Sequence, residues 1–335
     1  MAERDLGQLS LADRLISDTV PGNAFLERVG ALVDWHAVEA ALAPLRAGTM
    51  GAPAYPASML FKALLLQQWY GLSDVGLEEA LGDRLSFRRF CGVPLDHKMP
   101  DHSTLWRFRE RLSRSGLAAV AFTCVTEQIE RAGLILKKGT LIDASLVPAA
   151  VNKPAPPRGK LPADADGRPA SKLLRSALDP DAAWTKKEGR RHFGYKAHVA
   201  LDMGSRIVRR LAFTPANVNE TSCADALICG DEHAVYADKA YDSKARRAAL
   251  KARGIRNGIM RRWHWAWAAR SRWEDRRNKL IARRRAPIEP LFALLKNVYR
   301  FVRARYRGLP RNSAALHLAA TAMNLRRWTM MARPA

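Results

Sequence analysis

Apolar residues recur every three or four positions from residue 56 to about residue 112, the spacing that places side chains on one side of an α-helix. Ser73 and Ser86 each precede a new helical run, as N-cap residues do. Asp101 or Ser103 would cap a last run, PDHSTLWRFRERL. The pattern therefore predicts a series of short helices.

These helices form a predicted N-terminal domain over residues 1–130, and its last capped helix carries Arg107, Arg109 and Arg111. A cluster of short helices with a basic member is typical of small DNA-binding domains. It is equally typical of a domain that serves only for packing or dimerisation, and the sequence favours neither interpretation.

The period changes after Gly139. TLIDASLVPA alternates, with Leu141, Asp143 and Ser145 on one face, which predicts a strand. Residues 148–190 then gather seven prolines with Gly, Ala and Asp, which predicts a long and largely unstructured surface insertion.

Order is predicted to resume with a β-hairpin, in which RHFGYKAHVALD and RIVRRLAFTPA are joined through the turn MGS. NETSCADALICG predicts a helix capped by Asn219 or Thr221 and ended by Gly230. HAVYADKAYD predicts a strand, SKARRAALKARG a helix and IRNGIM a short strand. Together these elements predict a second domain over residues 135–330, built on a mixed α/β sheet.

Positive charge is concentrated near the C-terminus. The net charge is +24, yet residues 1–100 carry nine Lys/Arg against twelve Asp/Glu, whereas residues 251–335 carry 22 against three. Such an excess predicts attraction to a phosphate backbone and an affinity that falls steeply with salt. A basic tail without a partner is the plainer alternative. No apolar run approaches the ~20 residues that a membrane span needs.

Cysteines and histidines give no sign of a metal or disulfide framework. The four cysteines (Cys91, Cys124, Cys223, Cys229) form no CxxC pair, and the eight histidines are dispersed. The expected compartment is the reducing cytoplasm. Any catalytic metal is expected to bind carboxylates.

Three acids stand at positions that need an explanation. Asp143 lies within an apolar strand, Asp238 closes one, and Glu289 is the single acid of the basic stretch RRRAPIEPLFALLKNVYRFVRARYRGLPR. A carboxylate in an apolar strand costs desolvation energy unless it is paired or binds a metal. Two strands and a following helix could bring the three acids to one edge of the sheet. Taken singly, a paired core acid, a turn residue and a helix-dipole partner remain the structural alternatives.

A long helix is predicted from Pro287 and Pro290 onward, where a missing N–H is tolerated. At about 100° per residue its apolar stripe consists of Ile288, Leu291, Phe292, Leu295, Tyr299 and Val302. The adjacent stripe consists of Glu289, Lys296, Arg300 and Arg303. The lone acid is therefore predicted to share its face with cations that can hold phosphate.

Three carboxylates suit Mg²⁺ or Mn²⁺, which prefer hard oxygen ligands together with substrate phosphate and water. Two such ions about 4 Å apart activate an attacking oxygen and stabilise a leaving one in phosphodiester cleavage. Asp143, Asp238 and Glu289 are thus the predicted metal ligands and catalytic residues, with Glu289 also assisting proton transfer.

Several blocks resemble, in order, those of the DDE transposases of bacterial insertion sequence five, the InsH-like group. They are LIDASLVPA, HFGYKAHVALD, TPANVNE, VYADKAYDS, RRRAPIEPLFALLK and RYRGLPRN…NLRR, and YPASMLFKALLLQQWYGLSDVGLEEAL resembles the N-terminal domain of that group. The resemblance runs over roughly residues 50–328. It implies a ribonuclease H-like core flanked by helices, with Asp143, Asp238 and Glu289 as the catalytic acids.

The resemblance also implies an activity. Such enzymes bind the terminal inverted repeats of their element as at least a dimer, hydrolyse phosphodiester bonds at its ends and join the 3′-hydroxyls to target DNA. In the related insertion-sequence-four signature a tyrosine precedes Arg, Glu and Lys. Arg285, Glu289 and Lys296 fit that spacing, but Ala282 stands at the tyrosine position, which leaves the role of a tyrosine unfilled.

The predicted DNA contacts are the phosphate clamps Arg285, Lys296 and Arg300, together with Arg303, Arg307 and Lys196. Tyr195 and His198 lie beside Lys196, and ordinary surface strand residues are the commoner explanation for this group. A tryptophan cluster (Trp263, Trp265, Trp267 and Trp273) among arginines could stack on an unpaired base, although packing is the favoured interpretation.

Double-stranded DNA is the expected partner, and the bacterial nucleoid the expected place of action. Two alternatives to a transposase remain. A nuclease on the same fold would cut branched DNA without joining it, and a domesticated relative would bind DNA without cutting. Retention of all three acids argues against the second alternative.

Overall fold

The computed structural model describes residues 22–46, 54–151, 178–187, 189–261 and 272–332. They form two compact units. One comprises the chain up to Leu134 together with the chain from His317, and the other comprises Ile135–Leu316. Among the described residues, no helix is long and apolar enough to cross a membrane.

The first unit is helical. Its described helices before residue 134 are α1 (Ala24–Leu32), α2 (Trp35–Leu42), α3 (Ala57–Tyr70), α4 (Asp74–Asp83), α5 (Leu85–Cys91), α6 (His102–Arg114) and α7 (Leu117–Arg131). Eleven of the fourteen residues of α3 are buried, including the polar Gln67 and Gln68, so this helix lies in the core of the unit. The indole N–H of Trp69 in α3 donates to the carbonyl of Ala322 at 2.9 Å.

Helix caps in this unit follow the prediction at two positions of three. Ser73 accepts from the Gly76 amide at the start of α4, and Asp101 caps α6. The predicted cap at Ser86 is wrong, because Ser86 lies inside α5, which begins directly after Arg84 without a side-chain cap. A short non-helical step at Arg84 is sufficient to separate α4 from α5.

The second unit is built on a six-stranded mixed sheet. Its strands are β1 (Thr140–Pro148), β2 (Ala183–Lys187), β3 (Arg190–Asp202), β4 (Val208–Pro215), β5 (Ala234–Ala237) and β6 (Arg256–Ile259). The order is β2-β3-β1-β5-β6, and β4 also pairs with β3. β1, β5 and β6 are parallel neighbours, whereas β3 is antiparallel to β1, β2 and β4.

The helices of this unit are α8 (Glu220–Leu227), α9 (Lys244–Ala252), α10 (Arg272–Arg285), α11 (Glu289–Asn297) and the start of α12 (Leu309–Met331), which belongs to the first unit from His317 onward. The predicted β1 strand, the β3–β4 hairpin, α8, β5, α9 and β6 are all confirmed. Asn219 caps α8 by accepting from the Thr221 amide, although the helix ends at Leu227, before the predicted stop at Gly230. One face of the sheet packs its apolar residues, including Ile142, against α8 and α9.

The insertion predicted over residues 148–190 is partly ordered. Residues 152–177 lie outside the described residues, but β2 pairs with β3, so the prediction of an unstructured segment is wrong for residues 183–187. Asp179 is fully buried and accepts from the Tyr195 hydroxyl at 2.5 Å and from the Gly308 amide at 3.1 Å. The proline-rich composition did not predict these ordered residues, because the hydrogen bonds that fix them come from residues distant in sequence.

One segment groups differently from the predicted domain bounds, 1–130 and 135–330, which remain a prediction. The second domain was expected to run to residue 330, whereas α12 from His317 onward groups with the first unit. The helical domain is therefore completed by a segment from the end of the chain, a pairing that local pattern does not reveal.

The predicted helix after Pro287 is shorter than expected. A 3₁₀ turn, Ala286–Ile288, leads into α11, which ends at Asn297. Arg300 adopts a left-handed conformation with φ 58°, and the Phe301 amide bonds back to the Leu295 carbonyl, as at many helix C-termini.

The stripes predicted for this helix are therefore wrong beyond Asn297. Val302 is 59% exposed, whereas Ile288, Leu295 and Tyr299 are buried. Arg300 and Arg303 do not share a helical face with Glu289.

Candidate active site

The two predicted aspartates lie on neighbouring parallel strands, at the point where the shorter strand ends. β1 and β5 pair in parallel up to Ile142 opposite Ala237, and Asp143 and Asp238 are the next residues along the chain. Asp238 then caps the short 3₁₀ turn Lys239–Tyr241 through the Lys239 amide, at 2.6 Å. β1 continues past the end of β5, so Asp143 lies in the middle of β1, next to the C-terminal end of β5.

Asp143 is held by two donors. One oxygen accepts from the Ala144 amide at 2.9 Å and the other from the Arg285 guanidinium at 3.0 Å. The side chain of Asp143 is 26% exposed. Burial raises the pKa of the Asp143 carboxyl, Arg285 opposes that rise, and the charges of Asp238 and Glu220 add to it. Two acids are therefore close enough to Asp143 to disfavour its ionisation.

Glu289 is placed on the adjoining element. The 3₁₀ turn Ala286–Ile288 lies against β1, with Ile288 buried, and Glu289 follows as the exposed first residue of α11. In the part of the chain that the structure describes, the carboxylates of Asp143, Asp238 and Glu289 do not all lie within 4.8 Å of one another. The structure thus sets the aspartates side by side, while Glu289 stands one helical turn beyond the arginine that binds Asp143.

The predicted DNA contacts divide into two groups. Arg300 and Arg307 are exposed, and Lys296 is half-buried on α11. Arg285 is bonded to Asp143, and Arg303 donates to the carbonyls of Ala149 and Val151 at 2.7 and 3.1 Å. Arg285 and Arg303 therefore already make hydrogen bonds within the second unit.

Lys196 is also engaged within the unit. Its ammonium donates to the Val218 carbonyl at 2.9 Å, lies 3.5 Å from Glu220 and leaves the side chain 12% exposed. Tyr195 and His198 are fully buried, so the interpretation of this group as surface strand residues is wrong for both. They belong to the core of the sheet.

Trp263, Trp265 and Trp267 lie outside the described residues. Trp273, the last member of that cluster, is at the start of α10 with 64% of its surface exposed. Packing into the core is therefore not its role.

Two residues near the aspartates were not predicted. Glu220 is the first residue of α8, and Tyr241 ends the 3₁₀ turn after Asp238. Tyr241 is fully buried, and its hydroxyl has no hydrogen-bond partner among the described residues. Burial, together with the charges of Glu220 and Asp143, raises the pKa of Tyr241. Glu220 gave no signal in the sequence because an acid at a helix start is ordinary.

A second group of potential ligands lies at the other end of β5. Cys229, Asp231 and Glu232 place one ligand atom each within 4.8 Å of one another. Asp231 is bonded to Arg209 and Lys137 at 2.8 Å, and Glu232 lies 3.5 Å from Arg209. These acids are already neutralised by cations, so the group is an ion-pair network rather than a metal centre. All four cysteines are free thiols, as expected.

The aspartate pair suits a divalent metal better. Asp143 and Asp238 offer hard carboxylate oxygens, the donors that Mg²⁺ and Mn²⁺ prefer. Arg285 occupies one oxygen of Asp143, so a metal ion at this pair would share the Asp143 carboxylate with the guanidinium. The donor set therefore fits the metal that the sequence predicts.

Two families match the chain, one on each part. Residues 14–111 match the family described as Transposase domain (DUF772), and residues 136–325 match the Transposase DDE domain. No solved structure gives a significant match. The second match covers more than half of the chain and confirms the predicted ribonuclease H-like fold and a nucleotidyl-transfer activity on DNA. The chain belongs to the DDE transposases, enzymes of mobile-element transposition and recombination.

Proposed function

We propose that this transposase binds the terminal inverted repeats of a bacterial insertion sequence, cuts at the ends of the element and joins them to target DNA. The observation that carries the proposal is the placement of Asp143 and Asp238 beside each other at one sheet edge, with Arg285 bonded to Asp143. Two element ends must be paired, so the proposed working form is a homodimer on DNA in the nucleoid.

The proposed reaction has two steps. In the first, a water oxygen bonds to phosphorus and the P–O3′ bond breaks, which releases a 3′-hydroxyl. In the second, that hydroxyl attacks a phosphorus of the target strand and the target O3′ departs. No covalent bond to the protein is needed in either step. Glu289 is proposed to accept a proton from the attacking group, since it is exposed and directly follows the 3₁₀ turn that lies against β1, the strand of Asp143.

Asp143 and Asp238 would hold Mg²⁺ or Mn²⁺, with Glu289 completing the site. When bound, two ions supply activation of the attacking oxygen and stabilisation of the leaving oxygen. The Arg285 guanidinium would keep the scissile phosphate oriented, because its N–H groups can donate to a phosphate oxygen as well as to Asp143. Lys296, Arg300 and Arg307 would bind the flanking backbone.

The test is cleavage of a duplex that carries the candidate ends, with Mg²⁺ or Mn²⁺ present. Asp143→Asn should abolish cutting, because it removes a charged ligand, while the dissociation constant for the same duplex stays unchanged. Asp96→Asn, at a surface aspartate that is 67% exposed in the helical unit, serves as the control and should cut normally. Equal cleavage by Asp143→Asn would refute the assignment.

The products distinguish the alternatives. Joining of the released 3′-hydroxyl to a second duplex supports the transposase proposal. Cutting of branched DNA without joining would indicate a nuclease instead, and tight binding without cutting by the unmodified protein would indicate a domesticated DNA-binding protein.

A further inference from the structure

The end of the β2–β3 hairpin carries four cations in an unfavourable arrangement. Lys186 pairs directly with Arg191 across the ladder, and Lys187 pairs with Arg190. Like charges that face each other across two strands destabilise a sheet. All four side chains are exposed, and none has an acidic partner among the described residues. We call this set the cationic hairpin end.

The base of the hairpin is well anchored. Trp184 faces Phe193 in the same ladder, and their ring centroids are 5.4 Å apart. Tyr195, the second residue after Phe193, is buried and bonded to Asp179. At the opposite end of the hairpin, in the turn between β2 and β3, Gly189 has φ 78°, a conformation that suits glycine in a tight turn. Repulsion at the end is therefore tolerated because the aromatic base holds the two strands together.

Both faces of the ribbon are basic at this end. Directly paired residues share a face, and successive residues alternate, so one like-charge pair projects on each side. The neighbouring sequence contains one acid, Glu188, which lies outside the described residues, against the four cations. A two-stranded ribbon fits the major groove of B-form DNA, where phosphates flank it on both sides.

We propose that the cationic hairpin end binds the backbone of duplex DNA at a distance from the cutting site. This inference rests on the proposed function. β3 runs without interruption from Arg191 to Val199, which pairs with Asp143. Eight residues at ~3.3 Å each span about 26 Å. For a duplex that lies along β3, at 3.4 Å per base pair, the contact falls about eight base pairs from the scissile phosphate.

The test removes one like-charge pair. In Lys186→Ala combined with Arg191→Ala, the affinity for an end-containing duplex should fall. The slope of log affinity against log salt should become shallower by about 1.8, since each phosphate contact contributes about 0.9. The melting temperature should stay equal or rise, because a repulsive pair is lost. A merely structural pair would instead lower the melting temperature and leave the salt slope unchanged.

The matched control is Lys251→Ala combined with Arg256→Ala. Both residues are exposed, and Arg256 pairs with Ala234 at the opposite end of β5 from Asp238. This control removes the same charge and should leave the salt slope within error of the unmodified protein. An equal change in both variants would show a general charge effect and overturn the proposal.

Trimmed duplexes locate the contact. The difference between the unmodified protein and the hairpin variant should disappear when the duplex extends fewer than about eight base pairs from the cut on the contacted side. Unchanged affinity and slope in the hairpin variant, while the unmodified protein cuts normally, would overturn this inference alone. Failure of the unmodified protein to bind or cut end DNA would instead overturn the proposed function. Altered self-association without a change in DNA affinity would assign the hairpin end to a protein contact.

Discussion

The bond between Asp143 and Arg285 makes the stability of the site sensitive to one side chain. Arg285→Ala leaves a largely covered carboxylate without its cation, so the pKa of Asp143 should rise further. The free energy of unfolding at pH 7 should fall by about 2 kcal/mol, the scale of a hydrogen bond to a charged group. Urea denaturation measures it. The loss should shrink at acidic pH, where Asp143 is protonated.

Arg284→Ala is the control for this change. Arg284 donates to the Tyr236 hydroxyl at 2.8 Å, a bond without a charged acceptor. Its removal should cost about 1 kcal/mol or less and show no dependence on the ionisation of Asp143. Equal costs in the two variants, with the same pH dependence, would contradict the stabilising role of Arg285.

Some residues of the candidate site could be predicted from the sequence and others could not. Asp143 and Asp238 were predictable because a carboxylate in an apolar strand is costly, and the strands were recognisable. Glu220 was not, since its proximity to Asp143 depends on how α8 packs. Glu289 was predicted to stand at a helix start, but the 3₁₀ turn Ala286–Ile288 that precedes it was not predicted from the pattern.

Helices α4 and α6 are joined by a buried ion pair. Arg109 donates through two nitrogens to the two oxygens of Asp74, each at 2.6 Å, and its side chain is 9% exposed. Arg109 is therefore a structural member of the basic helix rather than a DNA contact. Asp74→Asn should lower the free energy of unfolding by about 3 kcal/mol, because a buried cation loses its partner. Thermal and urea denaturation measure this.

Glu27→Gln is the matched control in the same unit. Glu27 lies 3.8 Å from Arg89, and its side chain is 54% exposed. Exposed pairs contribute at most about 1 kcal/mol, so this variant should remain close to the unmodified protein. If Asp74→Asn were as mild as Glu27→Gln, the buried pair would not join the two helices.

At the level of elements, the helices and strands with a strong local period were predictable, and those formed by distant partners were not. β2 was missed because its sequence, AWTKK, shows little alternation and depends on pairing with β3. α11 was extended too far because cations and apolar residues kept a helical period after Asn297. Hydrogen bonds around Arg300, not the period, end that helix.

Over the whole molecule, the unfolding free energy should fall as the pH decreases, in two stages. His198 is fully buried, and burial lowers its pKa from 6.5 to about 4, with Lys196 adding to the shift. The unfolded chain therefore binds a proton on His198 below pH 6.5, whereas the folded chain resists it to about pH 4. The stability associated with neutral His198 is complete above pH 6.5 and declines by up to ~3 kcal/mol towards pH 4.

The second stage belongs to carboxylates. Hydrogen bonds and nearby cations lower the pKa of Asp74, and backbone and side-chain bonds at the cap lower that of Asp101 to about 2. These two carboxylates stabilise the folded chain fully above about pH 4, the pKa of an aspartate in the unfolded chain. That contribution to the free energy of unfolding is lost as the pH falls through their pKa values in the folded chain. The net charge of +24 grows in the same range, so self-repulsion adds to the loss.

His198→Gln separates the stages. Glutamine can still bond to the Thr214 hydroxyl, which His198 contacts at 3.0 Å, but it does not titrate. Whatever its stability at pH 7, this variant should show a flatter curve between pH 6.5 and 4 and an unchanged decline below pH 4. Urea denaturation at several pH values, at constant ionic strength, gives both slopes. An unchanged slope above pH 4 would mean that His198 does not govern the first stage, and charge repulsion across the molecule would then have to account for it.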